Sequence, residues 1–140
     1  MGRVKLDQDA LGLSSLMEKI TRARVKDCFK GEDNETVYFI IEMGQLGKAL
    51  GKGAVNIKKI QDQINKKIRL IEYHPEVIAF VKNVIYPLKV EEIVQEDGDI
   101  LIKDNNKKTK SLLIGRDGKN LRLTNRAVKR FFSVNDVKVV

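Results

Sequence analysis

Apolar and polar positions alternate in a way that changes period several times along the chain. Over residues 9–21, Leu13, Leu16, Met17 and Ile20 recur at three- and four-residue steps, which predicts one face of a short helix. Ser15 and Glu18 have capping-box spacing, so the helix is expected to start at either Asp9 or Ser14. Residues 23–29 alternate apolar with polar and predict a half-buried strand. Residues 31–35, GEDNE, carry turn chemistry, and 36–43, TVYFIIEM, are β-branched and aromatic enough for a central strand. Residues 44–53 are punctuated by glycine, with room for one helical turn at 46–50. In 54–65, Val55, Ile57, Ile60 and Ile64 largely share a helical face from which Lys58, Lys59, Asp62 and Lys66 are absent. Residues 67–73 return to a strand pattern.

The order then restarts. Residues 75–86 predict a helix with Pro75 at its first position and Pro87 as its stop. Strands are expected at 88–95 and 99–104, joined at Glu96-Asp97-Gly98. One helical turn fits 107–115. A helix fits 118–132, with Leu121, Val128, Phe131 and Phe132 on its apolar side, and 136–140 closes as a strand. The chain therefore reads α-β-β-α-turn-α-β twice: an α+β fold of two small repeated domains, residues 1–74 and 75–140. One offset of 64 aligns Leu50 with Ile114, Gly51 with Gly115, Lys52 with Arg116, Asn56 with Asn120, Ile57 with Leu121 and Lys58 with Arg122. Each half of the 140 residues is long enough for a thin core only.

Charge adds a direction. The net charge is +8, but residues 48–69 hold seven Lys/Arg against one Asp, and residues 107–130 hold nine against one. These windows carry +6 and +8, so the rest of the chain is −6. Each window surrounds a glycine turn. A lysine-rich solvated helix face is the plain explanation; a polyanion partner is the functional one. The single cysteine, Cys28, excludes an intrachain disulfide, and with one histidine, His74, no Cys/His metal cluster can be assembled. No run has membrane-span length and the N-terminus lacks a signal-peptide core, so a cytoplasmic protein without a membrane partner is expected.

The two turns, Leu50-Gly51-Lys52-Gly53-Ala54 and Ile114-Gly115-Arg116-Asp117-Gly118, each stand between helical segments. Glycine admits positive φ and close approach of a ligand to the main chain, and the following helix offers unpaired N–H groups and a positive dipole end. Lys48, Lys52 and Lys58 add charge to the first corner; Arg116, Lys119 and Arg122 add it to the second. The spacing fits neither a Walker loop, since no Gly-Lys pair is followed by Ser or Thr, nor a dinucleotide fingerprint, since Gly51-x-Gly53 leads to Asn56.

These turns and their surroundings resemble KH domains. "IGRDGKNLRL" is the nearer match and "LGKGAVNIKKI" the looser one, and the element order is similar to the type II arrangement, with helices on one face of a three-stranded sheet. "ITRARVKDCF" and "FVKNVIYPLKVEEIV" extend the resemblance, over nearly the whole chain, to the tandem KH pair of the NusA family and to its short archaeal members. The resemblance implies a monomeric single-stranded RNA-binding factor in transcription elongation, termination or antitermination. It would use no cofactor and act beside RNA polymerase or a transcription complex. A general or ribosome-associated KH protein is the alternative. Each cleft would clamp about four nucleotides. The implied contact residues are Lys48, Leu50, Gly51, Lys52, Gly53, Ala54, Asn56 and Lys58, and Ile114, Gly115, Arg116, Asp117, Gly118, Lys119, Asn120 and Arg122. Ile57, Ile60 and Leu121 are further groove candidates, while Ile57 and Leu121 fit the core equally well. The basic windows contain no aromatic residue, so base stacking on a sheet is not expected and the aromatics are assigned to the core.

Ala54 departs from the family pattern, which has glycine there. Either Ala54 itself takes positive φ at a cost of about 1 kcal/mol, or the helix starts one residue early and Gly53 carries the unusual backbone. On either alternative the first clamp is expected to be the weaker. His74 and Cys28 lack the partners a base or nucleophile needs, and the carboxylates lack metal-loop spacing, so no enzyme is expected.

Overall fold

The computed structural model describes residues 2–140, with side-chain surroundings from residue 11 onward. Its elements follow the repeated order, and they divide into two units, one ending at Tyr73 and the other starting at His74.

The first unit opens with α1, Gly2–Thr21, which begins ahead of both expected starts. Asp9 falls among the residues whose side chains lie outside the described set, and Ser14 and Ser15 sit inside the helix. The capping-box spacing is thus not used as a cap. Glu18 Oε2 instead accepts the N–H of Val25 at 2.9 Å. The helix is closed by Thr21, whose hydroxyl donates to Met17 O at 2.7 Å and accepts from Ala23 N at 3.0 Å, and by left-handed Arg22. Strands β1, Val25–Lys30, and β2, Thr36–Ile41, are antiparallel, with a bulge between Val25 and Asp27. Short helix α2, Leu46–Leu50, and helix α3, Val55–Ile64, lead to β3, Lys67–Glu72, which runs parallel to β2. The sheet order β1-β2-β3 puts β2 in the centre, and Val37 through Ile41 are all buried. Alternate residues Val37, Phe39 and Ile41 join Met17, Ala49 and Ile60 in the core. Burial of a side chain such as Phe39 contributes about 1.5–3 kcal/mol, so this strand anchors the unit.

The second unit repeats the scheme. Helix α4, Val77–Ile85, starts two residues after Pro75. Glu76 is extended at φ −90°, ψ 127° and its N–H is accepted by His74 Nδ1 at 2.9 Å, so Pro75 precedes the helix rather than opening it. Strand β4, Glu92–Glu96, begins four residues later than expected, and β5 is Asp99–Lys103. Only Asp97 and Gly98 lie between the Glu96–Asp99 pair, both with positive φ, the primed hairpin geometry that Asp-Gly favours. Asp104 accepts from Glu91 N and Asn106 N, tying the start of β4 to the next helix. Helix α5, Lys107–Ile114, is eight residues rather than one turn, capped by Asn106 Oδ1 on Thr109 N at 3.0 Å. Helix α6, Lys119–Lys129, stops short of Phe131 and Phe132, which still meet Phe80 with ring centroids 5.5 and 5.7 Å away. Edge strand β6, Val137–Val139, lies parallel to β5 and is pinned by Asn125, whose amide both donates to and accepts from the backbone of Val137. The architecture is two tandem α+β units, each with a three-stranded sheet.

Candidate nucleic-acid interface

Each glycine turn occupies the break between the two crossover helices of its unit, α2 and α3 in the first, α5 and α6 in the second. Gly51 has φ 72°, ψ 171° and Gly115 φ 76°, ψ 172°. Two left-handed residues then stand side by side in each turn. In the first they are Gly53 (φ 64°, ψ 24°) and Ala54 (φ 59°, ψ 26°); in the second, Asp117 (φ 56°, ψ 27°) and Gly118 (φ 76°, ψ 12°). Ala54 therefore takes positive φ itself, as in the first alternative. The helix does not start early, since α3 begins at Val55 as α6 begins at the equivalent Lys119, and Gly53 is left-handed in addition. The backbone is the same in the two copies, and the second glycine has moved by one position within it. Each turn places one non-glycine residue in the left-handed region, Ala54 or Asp117. Aspartate tolerates that region better than alanine, so the strain differs in size rather than in kind.

The turn backbones are closed in the same way. Ala54 N donates to Gly51 O and Gly118 N to Gly115 O, each at 3.1 Å. Ala54 and Gly118 are the N-caps of α3 and α6, and neither helix has a side-chain cap bond at that end. The first-turn N–H groups and the positive helix ends thus face a corner that no cap side chain fills. Around it, Lys48, Lys52 and Lys58 are exposed in the first unit, and Arg116, Lys119 and Arg122 in the second. Arg122 folds back so that Nη1 donates to Asp117 O. Arg69, counted in the first basic window, is half-buried beside Tyr38, and burial pushes its guanidinium below its ordinary pKa while Tyr38 opposes that shift.

An aliphatic lip borders each corner. Leu50 is 39% exposed and Ile114 37%, both immediately before the first glycine. Val55 and Leu112 extend the lip at 43% and 47%. Leu112 was not singled out from the sequence, whereas Val55, expected on the apolar face shared with Ile57, Ile60 and Ile64, stands at the first position of α3 and is exposed instead. Ile60, expected in the groove, is fully buried in the core instead, since α3 turns that residue onto β2. Ile57 and Leu121 are half-buried, and Ile57 packs against the core cluster. Asn56 and Asn120 point back into their own turns. Asn56 Nδ2 donates to Lys48 O at 3.1 Å and Asn120 Nδ2 to Leu112 O at 2.8 Å. Of the eight aromatics, Phe29, Tyr38, Phe39 and Phe80 are buried, Phe29 and Tyr38 stacking at 5.4 Å; Tyr73, Phe131 and Phe132 are half-buried, and Tyr86 is 70% exposed.

A KH domain family model matches residues 13–97, a segment that includes the first turn. The chain is 34% identical to a "Probable transcription termination protein NusA" of Methanococcus vannielii, over 99% of this chain and 80% of that protein. It is 30% identical to a protein of the same name from Methanocaldococcus jannaschii, over 100% of this chain and 77% of that one. The chain belongs to the archaeal NusA-like family of KH-domain proteins. The crystal structure of APE1850 superposes with a TM-score of 0.77 at 26% identity, covering 95% of this chain and 99% of that one. Family membership extends the KH assignment to the second unit through geometry: its turn, outside the matched segment, repeats the dihedral angles and closing bonds of the first. Among the described residues no helix is long and apolar enough to cross a membrane.

Proposed function

We propose that this NusA-like protein binds single-stranded RNA through its two glycine turns in series, and that it does so on nascent transcripts as a monomeric elongation, termination or antitermination factor beside RNA polymerase. The observation that carries the reading is the duplicated corner: two uncapped helix N-termini behind positive-φ glycines, each bordered by exposed cations and an aliphatic lip. Backbone N–H groups and cations hold phosphates, while Leu50 and Val55, or Leu112 and Ile114, offer apolar surface to unstacked bases. The contact set is Lys48, Leu50, Gly51, Lys52, Gly53, Ala54 and Lys58 in the first corner. In the second it is Ile114, Gly115, Arg116, Asp117, Gly118, Lys119 and Arg122. The name shared by the archaeal relatives supports the transcriptional role.

Two corners on one chain raise each other's effective concentration when both engage one strand. RNA of about eight nucleotides or more is therefore expected to bind more tightly than a four-mer, with affinity falling as salt rises. Equal affinity for the two lengths refutes tandem engagement. Lys52→Asp and Gly118→Asp each weaken binding if both corners contact RNA; an unaffected variant removes its corner from the interface. Capture of ribosomal subunits rather than RNA polymerase from lysate by the tagged protein overturns the transcriptional assignment.

A further inference from the structure

We propose that Asn56 and Asn120 are positioning residues, each an internal clasp that holds its glycine turn in the binding geometry, rather than RNA contacts. The inference rests on the RNA-binding reading of the turns but is carried by separate observations. Each asparagine is rooted in the first turn of the helix after the glycines and donates to a carbonyl of the helix before them. The accepting residue, Lys48 or Leu112, lies three positions before the first glycine in both copies. Carbonyls at a helix C-terminus lack intrahelical partners, so this bond satisfies an acceptor while joining both helices that flank the turn. One side chain thereby sets the spacing of the segment between them.

The same side chain explains the first glycine. A Cβ added to Gly51 would lie 2.6 Å from Asn56 Nδ2, and one added to Gly115 would lie 2.6 Å from Asn120 Cγ. The asparagine occupies the space that a side chain there would need. Glycine and asparagine five positions later are one device: the first yields room and the positive φ, the second fills the room and bonds across. The third turn position has no such constraint, since a Cβ on Gly53 meets nothing within 4 Å, which fits the presence of Asp117 at the equivalent place. A corner locked before RNA arrives has less conformational freedom to lose on binding.

The full-length protein and two variants, Asn56→Ala and Asn120→Ala, test this with two readouts. In the free protein, amide hydrogen exchange is expected to accelerate within the affected turn and to stay unchanged in β2 and β5. Affinity for single-stranded RNA is expected to fall about five- to tenfold, the scale of one hydrogen bond. The slope of affinity against salt should stay that of wild type, whereas Arg116→Ala should reduce it by about 0.7 through the loss of one phosphate contact. Lost affinity with unchanged exchange in the free protein overturns the proposal in favour of a direct contact. Accelerated exchange with unchanged affinity overturns it too, leaving a clip without bearing on binding. If an alanine variant fails to fold, Asn→Asp at the same position keeps the shape and removes the donor, and its turn exchange is read in the same way. Wild-type protein that binds no RNA refutes the function proposed above, while the exchange data still decide whether the clasp exists.

Discussion

Ala54→Gly offers a clean test of the turn geometry. Ala54 stands at φ 59°, ψ 26°, where an L side chain costs about 1–2 kcal/mol relative to the right-handed region. Glycine removes that cost and adds about 0.4–1 kcal/mol of unfolded-state entropy. The net expectation is a stabilisation of about 0.5–1 kcal/mol. A gain of 1 kcal/mol raises Tm by about 4–8 °C if the first unit melts alone and by about 2–4 °C if the chain melts as one. Gly53→Ala is the mirror experiment. Its new Cβ meets nothing within 4 Å, so its backbone strain of about 1–2 kcal/mol is offset only by about 0.4–1 kcal/mol of unfolded-state entropy, a net cost of about 0.5–1 kcal/mol. Asp117→Gly should gain less than Ala54→Gly, because aspartate already tolerates its left-handed position at φ 56°. Thermal and denaturant unfolding followed by circular dichroism measure all three. A neutral or destabilising Ala54→Gly, together with a neutral Gly53→Ala, would refute the two-residue left-handed turn.

Asn106→Ala removes the Oδ1 cap on Thr109 N and should destabilise α5 by about 1 kcal/mol, read as a lower denaturant midpoint with unchanged slope. Lys129 donates to Asp136 Oδ1 at 2.8 Å, and this bond and charge, with a smaller contribution from Lys138, hold the Asp136 carboxyl below its usual range. Its folded pKa lies below the unfolded one, so its contribution is present above the unfolded value and lost as pH falls through the folded one. In Lys129→Met the carboxyl should titrate at higher pH by NMR; an unchanged titration refutes the pairing.

Much of this protein was legible without tertiary structure. Period changes from two to three-and-a-half, with Gly and Pro punctuation, located the elements of both repeats. The 64-residue offset pairs the two turns from residue identities alone. These signals are local, and the backbone obeys them because each element must bury one face. Element ends were less legible, since competing partners decide them. Glu18 bonds to Val25 rather than capping Ser15, and His74 takes the N–H of Glu76 ahead of α4.

The site divides along the same line. Residue type and spacing identified the glycines and the cations around them. Only the fold decided which neighbours face outward. Ile60 and Leu50 are equally apolar in the sequence, yet helix rotation sends one to the core and leaves the other at the lip. Asn56 and Asn120 look like polar contact residues until the α2–α3 and α5–α6 corners bring them against carbonyls eight residues earlier. Ala54 looked like a defect because glycine was expected at one position. The turn requires two adjacent left-handed residues, and a single glycine relieves either one. The sequence determined that such a turn exists twice; the three-dimensional backbone determined that its strain is shared out differently in each copy.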